Sequence, residues 1–290
     1  ISRYAIRNKA TLLETLQYAF VPCADCYGGE CDNMTIDDFV KIGALRSGMR
    51  QYAEKRDRAI RLCEEQFRTH KRPYVAISGG KDSVAMAYIV DAAARRVGAD
   101  YRLWLHCSDA SFPGTVETCR KVAAAVGREL DVFESKDSAF DAIARPQKAA
   151  FGKSGVFFSS VREYAKDKDL CFVGVRAAES RRRMRAAKAH GQVFDSASMG
   201  DVTVCHPLLW FTLYDVAAAL HEYDAPIHPI YKKITIERGE NRCGEESFIR
   251  LGYITSRDLL NKGTAVFLRI NYPDEFNRLA AAYPEIRLWV

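Results

Sequence analysis

Nowhere in this 290-residue chain does an apolar run approach the ~20 residues needed to cross a bilayer, so no membrane-spanning helix is expected. No internal repeat and no low-complexity linker occurs, which excludes solenoids and beads-on-a-string arrangements. Neither sign of charge dominates. Lys and Arg number 43 against 37 Asp and Glu, and the net charge of +6 suits a polyanionic ligand and a nucleic acid equally. The first residues, Ile-Ser-Arg-Tyr-Ala-Ile-Arg, lack the apolar core of a secretory signal, and the missing initiator Met reads as trimming or a missing first segment. Nine cysteines, an odd number spread through a mid-sized chain, argue against a disulfide framework and for a reducing cytoplasm with free thiols or metal ligands. What remains is ordinary globular composition, 48% apolar and 28% charged, enough for one sizeable core with additions.

The most informative stretch is Tyr74-Val75-Ala76-Ile77 followed by Ser78-Gly79-Gly80-Lys81-Asp82-Ser83 and a helical pattern from Val84 to about Arg96. A buried strand, a pair of glycines and a helix with Lys and Ser in its first turn form a phosphate-binding arrangement. The glycines admit an anion close to the backbone, and the amides and positive dipole end of the helix point at it. The glycines adjoin the Lys, unlike the Walker A spacing G-x-x-x-x-G-K-[ST].

Strand and helix patterns then alternate. Strands are expected at 74–77, 101–107, 130–134, 170–175 and 202–205, and helices at 82–96, 114–127 and between 137 and 168. This alternation implies a doubly wound, mostly parallel α/β sheet. It divides the chain into a helical N-terminal segment with a cysteine cluster (1–70), a nucleotide-binding α/β domain (71–235) and a C-terminal helical extension (236–290). In the first segment helices are expected over Thr11 to Phe20, from Thr35-Ile36-Asp37-Asp38, and over 51–70.

Ligands of such sheets sit at the carboxyl ends of strands. Asp109 follows the second strand, where a carboxylate accepts from ribose hydroxyls, holds Mg²⁺, or merely caps a turn before Pro113. Gly174-Val175-Arg176-Ala177-Ala178-Glu179-Ser180-Arg181-Arg182-Arg183 ends the fourth strand. A charge run is ordinarily a solvated face, but here it stands where a strand delivers side chains to the crevice, and Arg binds phosphate or sulfate with two parallel bonds. Glu179 either steadies an arginine or holds Mg²⁺. Further on, Thr212 and Asp215 form a capping box, Pro226 and Pro229 close that helix, and Tyr231 and Lys232 stand where they can close over a nucleotide.

Ser78-Gly79-Gly80-Lys81-Asp82-Ser83 resembles the PP-loop of the ATP pyrophosphatases, the adenine nucleotide alpha-hydrolase superfamily. The stretch Asp109 to Thr115 resembles the segment after the second strand in the phosphoadenosine phosphosulfate (PAPS) reductase-like group. Gly174, Arg176, Glu179, Ser180 and Arg183 match a motif of PAPS reductase-like and phosphorothioation-type ATP pyrophosphatases, and Pro207 to Tyr231 is similar to a further family stretch. Together these cover roughly residues 74–235. The resemblance implies Lys81, Asp82, Arg176 and Glu179 as catalytic residues. It implies Ser78, Gly79, Gly80, Lys81, Asp82, Ser83, Asp109, Gly174, Arg176, Ser180 and Arg183 as nucleotide-binding residues, with ATP and Mg²⁺ as cofactors. The implied activity is cleavage of ATP between the alpha and beta phosphates to adenylate a substrate in sulfur incorporation or nucleic-acid modification. Two rivals stand beside it: a sulfonucleotide reductase, and a non-catalytic nucleotide- or nucleic-acid-binding subunit of a modification or defence complex. Nucleic acid and a sulfur-donor protein are the candidate partners, and a homodimer and a monomer are both open.

The chain departs from the reductases in two ways. No thiol follows Cys243, which stands in Glu240-Asn241-Arg242-Cys243-Gly244-Glu245 and not in a C-terminal Glu-Cys-Gly segment, and no two cysteines are adjacent. Cys23, Cys26 and Cys31 have metal-ligand spacing for Zn²⁺ or an iron–sulfur cluster, with Cys63, Cys205, Cys243 or a partner as fourth ligand; small apolar packing is the alternative. Cys107, Cys119 and Cys171 are expected in the core.

Overall fold

The apolar run at Tyr74 forms β1 (Pro73–Ala76), which pairs in parallel with β2 (Arg102–Cys107) on one side and β4 (Leu170–Val173) on the other. A computed structural model describes residues 35–134, 156–233, 237–240, 246–247 and 264–290. The expected helix over Thr11 to Phe20, the cysteines at 23, 26, 31 and 243, and part of the expected helical stretch after residue 137 lie outside the described residues.

The main sheet has six strands in the order β3-β2-β1-β4-β6-β5. β3 (Leu130–Glu134), β2, β1, β4 and β6 (Val202–Cys205) run parallel; β5 (Val193–Ser196) is an antiparallel edge beside β6. Alternation along the strands sends their side chains to two faces. Val75, Leu103, Leu105, Leu170 and Phe172 join the main core, while Tyr74, Trp104, Cys171, Val202 and Val204 form a second layer on the opposite side. Strands covered on both faces read as continuous apolar runs, which is why the central ones were recognisable. Each expected strand is present: 130–134 and 202–205 have the expected bounds, the first is shifted by one residue and the second is shorter by one, and the fourth stops at Val173, because Gly174 begins the turn into the site. The expected helices appear as α3 (Lys81–Val97), α4 (Thr115–Val126) and, within the third span, α5 (Val156–Tyr164).

Before the sheet come α1 (Ile36–Ser47), which opens on the Thr35–Asp38 capping box, and α2 (Arg50–Thr69), whose Tyr52, Ile60, Cys63 and Phe67 are buried. α6 (Arg181–His190) follows β4, and α7 (Leu213–Glu222) follows β6. A two-stranded ribbon pairs β7 (Glu237–Glu240) with β8 (Glu246–Ser247). α8 (Thr264–Asn271) and α9 (Pro273–Ala282) complete the described chain before a last 3₁₀ turn, Pro284–Trp289. Phe39 of α1, Leu268 of α8 and Phe276 of α9 belong to the same buried cluster as the sheet. Among the described residues no helix is long and apolar enough to cross a membrane.

One buried carboxylate joins the N-terminal helices to the sheet domain. Asp215 completes the capping box of α7, accepting from the Thr212 amide at 2.9 Å, and it also accepts from Lys55 Nζ at 2.6 Å and Arg46 Nη2 at 2.8 Å. Burial pushes its carboxyl up, but Lys55, the Thr212 amide and Arg46 outweigh that and hold it below its ordinary value. A carboxyl whose folded pKa lies below its unfolded one (about 4) stabilises the fold above that value and loses the contribution as pH falls through the folded pKa. Asp215→Asn is therefore expected to cost about 3 kcal/mol at pH 7, by removing one partner of a buried ion pair. It should also flatten the fall in urea-melt stability below about pH 4. An acid limb as steep as that of the natural chain would assign the acid sensitivity to other groups.

Candidate nucleotide-binding site

β1 stands at the centre of the sheet, with the chain winding away through β2 on one side and through β4 on the other. The crevice between the carboxyl ends of β1 and β4 is thus the topological switch point where doubly wound sheets take their ligands. Two segments meet there: Ser78–Ser83, after β1, and Gly174–Arg183, after β4.

The loop is held by its own serines. The Ser78 amide donates to Ser83 Oγ at 3.1 Å, and Ser83 Oγ donates to the Gly80 carbonyl at 2.9 Å. Gly79 has φ of +73°, a backbone angle that calls for glycine, and it lies against His228 and the Thr115 carbonyl. Gly80 is the N-cap of α3, without a side-chain cap, and the first turn of that helix faces the crevice with its amides.

Around this helix start the charges are nearly buried. Lys81 is 5% exposed and Arg176 is 2% exposed. Both reach one carboxylate: Lys81 Nζ lies 2.5 Å from Asp82 Oδ2, and Arg176 Nε lies 2.5 Å from Asp82 Oδ1. Burial pushes the Asp82 carboxyl up, but Lys81 and Arg176 prevail and hold it well below the usual carboxylate range. Two cationic side chains thus meet on one carboxylate at the amide end of a helix, a setting that favours an anion.

The segment after β4 supports Arg176. Its amide donates to Glu179 Oε2 at 3.1 Å, Glu179 pairs with Arg183, and Ser180 Oγ caps α6 by accepting from the Arg183 amide at 3.2 Å. Gly174 lies so close to the start of α3 that a Cβ would fall 2.9 Å from Ser83 Cα and 3.0 Å from the Asp82 carbonyl carbon. Asp109 lies on the connection after β2, where Arg278 of α9 donates to its carbonyl at 3.1 Å.

Tyr231, on the 3₁₀ turn Pro229–Lys232, reaches the same helix start: its hydroxyl accepts from the Lys81 amide at 3.2 Å, in a place an oxyanion can take. Burial and the Asp82 charge push its phenol well above the ordinary range, so it is neutral. Sequence reasoning missed His228 and Thr115. His228 is 1% exposed, and its Nδ1 accepts from the Ile230 amide at 3.1 Å; Nε2 therefore carries the proton and donates to Thr115 Oγ1, also at 3.1 Å. Burial holds its pKa down at about 4, so it stays neutral and ties the Tyr231 turn to the start of α4. A lone His between two prolines, Pro226 and Pro229, was the only signal available.

Cys119 and Cys171 are buried as expected and their thiols are pushed up to about 12 by burial, whereas Cys107 is only half-buried. Cys63 and Cys205 are neighbours in the main core, and burial pushes the Cys63 thiol well up, which is the behaviour of packing thiols. Among the described residues no group of three His, Cys, Asp or Glu could hold a metal ion.

The U34-tRNA thiolase NcsA of Methanococcus maripaludis shares the fold at 14% identity and a TM-score of 0.50, over 82% of this chain and 80% of that one. The FMN adenylyltransferase of Candida glabrata, in complex with FAD and inorganic pyrophosphate, does so at 13% identity and a TM-score of 0.50, over 68% of this chain and 71% of that one. No curated protein matches the sequence. The model of the phosphoadenosine phosphosulfate reductase domain matches residues 72–256, from just before β1 to beyond the β7–β8 ribbon, and so spans both segments of the crevice. The chain belongs to the phosphoadenosine phosphosulfate reductase domain family, within the adenine nucleotide alpha-hydrolase superfamily of PP-loop proteins.

Proposed function

We propose that this chain is a PP-loop ATP pyrophosphatase that adenylates a substrate in sulfur incorporation or nucleic-acid modification. The observation that carries the proposal is the meeting of Lys81 and Arg176 on Asp82 at the amide end of α3. An acceptor oxygen attacks the alpha phosphorus in line. The new O–P bond forms as the bond to the alpha–beta bridging oxygen breaks, pyrophosphate leaves with the electron pair, and the acceptor proton passes to solvent. Such a transfer asks for positioning and charge neutralisation rather than covalent chemistry from the protein. Lys81, Arg176 and the first-turn amides of α3 supply both, exchanging Asp82 and the Tyr231 hydroxyl for phosphate oxygens.

Mg²⁺ is held by one or two carboxylates together with substrate phosphates. Asp82 and Glu179 are each engaged by cationic side chains, so ligation by either requires breaking an ion pair. Asp82 or Asp109, together with Glu179, are the carboxylates we assign to the metal, with the triphosphate supplying the remaining charge. Bound Mg²⁺ would neutralise charge on the leaving pyrophosphate.

Membership of the reductase-domain family favours a second reading, in which PAPS occupies the same crevice and a thiol attacks it. The buried thiols Cys119 and Cys171, pushed up to about 12, make poor nucleophiles at neutral pH, and this reading assigns the attack to Cys243 or a partner thiol. Thermal shift with ATP–Mg²⁺ and with PAPS, read beside pyrophosphate and sulfite release, separates the two. A ligand at 100 times its dissociation constant adds about 2.7 kcal/mol to the native state. The expected result is stabilisation by ATP with acceptor-dependent pyrophosphate release. Sulfite from PAPS and thioredoxin, lost in Cys243→Ser, would establish the reductase instead.

A further inference from the structure

α6 leaves the sheet after β4 and rejoins it at β5, whose Val193 pairs with Cys205 at the end of β6, so both ends of the helix lie at the carboxyl edge of the sheet. Against the helix face that carries Arg182, Arg183, Ala186 and Ala187 lies a cavity of about 550 Å³, within the size range of small-ligand sites. Buried Ala187 and Leu209 give it an apolar lining. Phe194 of β5 and His206, which follows β6, add two rings set edge to face, 5.4 Å between centroids, and Phe158 of α5 adds a third. Among the described residues neither ring nitrogen of His206 has a hydrogen-bond partner, and Arg182, which is exposed, has no ion-pair partner. Ser180 and Arg183 also line the cavity, and from Arg183 the contacts lead through Glu179 to Arg176, so it adjoins the nucleotide crevice.

We propose that this cavity is the acceptor site and takes one nucleotide unit, with its base among Phe158, Phe194 and His206 and its phosphate on Arg182. The proposal rests on the adenylation reading only in making the bound unit the acceptor, whose oxygen forms the new O–P bond as pyrophosphate leaves. The lining sorts recognition by place. Rings, apolar side chains and one imidazole surround the space, whereas the unpaired charge of Arg182 is exposed. A ligand with an uncharged ring and an anion some bonds away fits that order. An aromatic carboxylate, whose charge sits on the ring, would carry it among the apolar side chains. Burial and the nearby Arg183 hold His206 down at about 4, so its imidazole is neutral and offers one donor and one acceptor, the complement of a base edge. A free mononucleotide and one unstacked residue of a single strand share this chemistry, whereas a base paired in a duplex does not reach a cavity.

The test is isothermal titration calorimetry with CMP, UMP, GMP, their nucleosides, and short single-stranded RNA and DNA, in the presence of a saturating non-hydrolysable ATP analogue and Mg²⁺. Binding is expected with the analogue present, because cavity and crevice are separate places. Ala186 is exposed and lines the cavity, so Ala186→Trp leaves the core untouched and should fill the space and abolish binding. Ala186→Leu, a smaller plug, checks the result should the Trp variant melt early. Arg182→Gln should weaken the nucleotides about fivefold and leave the nucleosides unchanged, as loss of one exposed ion pair. His206→Leu should weaken both alike. Lys81→Ala, outside the cavity, should leave these affinities unchanged. Tighter binding of the oligonucleotides identifies a strand as the acceptor, and tighter binding of the mononucleotides a free one. Displacement by the ATP analogue would mean that the cavity holds the base of ATP itself and would overturn the proposal. So would benzoate binding as tightly as UMP, unchanged affinity in both Ala186 variants, or binding by none of the nucleotides. Nucleotide binding in the cavity by a chain that releases no pyrophosphate from ATP would remove the adenylation reading alone. Acceptor-dependent pyrophosphate release that both Ala186 variants and Arg182→Gln leave unaffected would remove this proposal alone.

Discussion

Lys81→Ala is expected to reduce ATP-dependent pyrophosphate release by about 10³-fold, close to 4 kcal/mol of transition-state stabilisation, with the fold retained. The size follows from the surroundings. Lys81 is 5% exposed, so its charge is little screened, and its ammonium already lies 2.5 Å from a carboxylate that it must leave to meet a phosphate. Its loss acts twice. The variant lacks one cation, and Asp82 then has Arg176 as its only partner of the two, which binds that guanidinium more firmly away from the substrate. Asp82→Asn placed on top of Lys81→Ala should thus recover part of the lost rate by releasing Arg176, a coupling that a double-mutant cycle reads directly. The fold survives because Asp82 keeps a partner in the single variant. Undiminished pyrophosphate release from Lys81→Ala would remove the adenylation proposal; equal loss in the single and double variants would remove the shared-carboxylate account while leaving Lys81 essential.

The parts of this molecule that were legible in its sequence are those set by local chemistry. β1 and β4 announce themselves as apolar runs because both faces of the sheet are covered, and α1 and α7 because Thr35 and Thr212 each stand three residues before an aspartate. β5 was missed: Val193-Phe194-Asp195-Ser196 is four residues long, lies on an edge and has one polar end, so neither length nor periodicity lifts it above a loop. The site was legible as two separate segments but not as one arrangement. Asp82 and Arg176 are 94 residues apart, and Lys81 and Tyr231 are 150 apart. That Asp82 serves both cations, and that a tyrosine hydroxyl covers the Lys81 amide, follow from how β4 and the Pro229–Lys232 turn are set against α3. Asp215 makes the same point: its cap is written locally, whereas its bonds to Arg46 and Lys55 arise only when α1 and α2 pack on α7. The cavity beside α6 draws its lining from five elements or their flanks, and no short motif records it.

Gly174→Ala should show how much of the site depends on that packing, with an expected loss of about 100-fold in kcat/KM and about 2 kcal/mol in stability. The atoms an added methyl would meet, 2.9 Å from Ser83 Cα and 3.0 Å from the Asp82 carbonyl carbon and oxygen, are all backbone and cannot rotate aside. Relief requires the end of β4 to move away from the first turn of α3 by several tenths of an ångström. Arg176 follows Gly174 by two residues and bonds Asp82 at 2.5 Å, so the same movement separates the two halves of the charged cluster. The stability change and the activity change then share one cause, and a urea melt read beside an ATP titration reveals whether they do. If affinity falls while the melt is unchanged, the methyl blocks a phosphate that approaches the Gly174 backbone itself, and Gly174 contacts the nucleotide directly. Loss of both assigns Gly174 to the close approach of strand and helix that brings Arg176 onto Asp82. Retention of both would mean that β4 and α3 can part without disturbing the ion pairs, and the rigid meeting of Lys81, Asp82 and Arg176 would no longer support the anion binding we propose at this sheet.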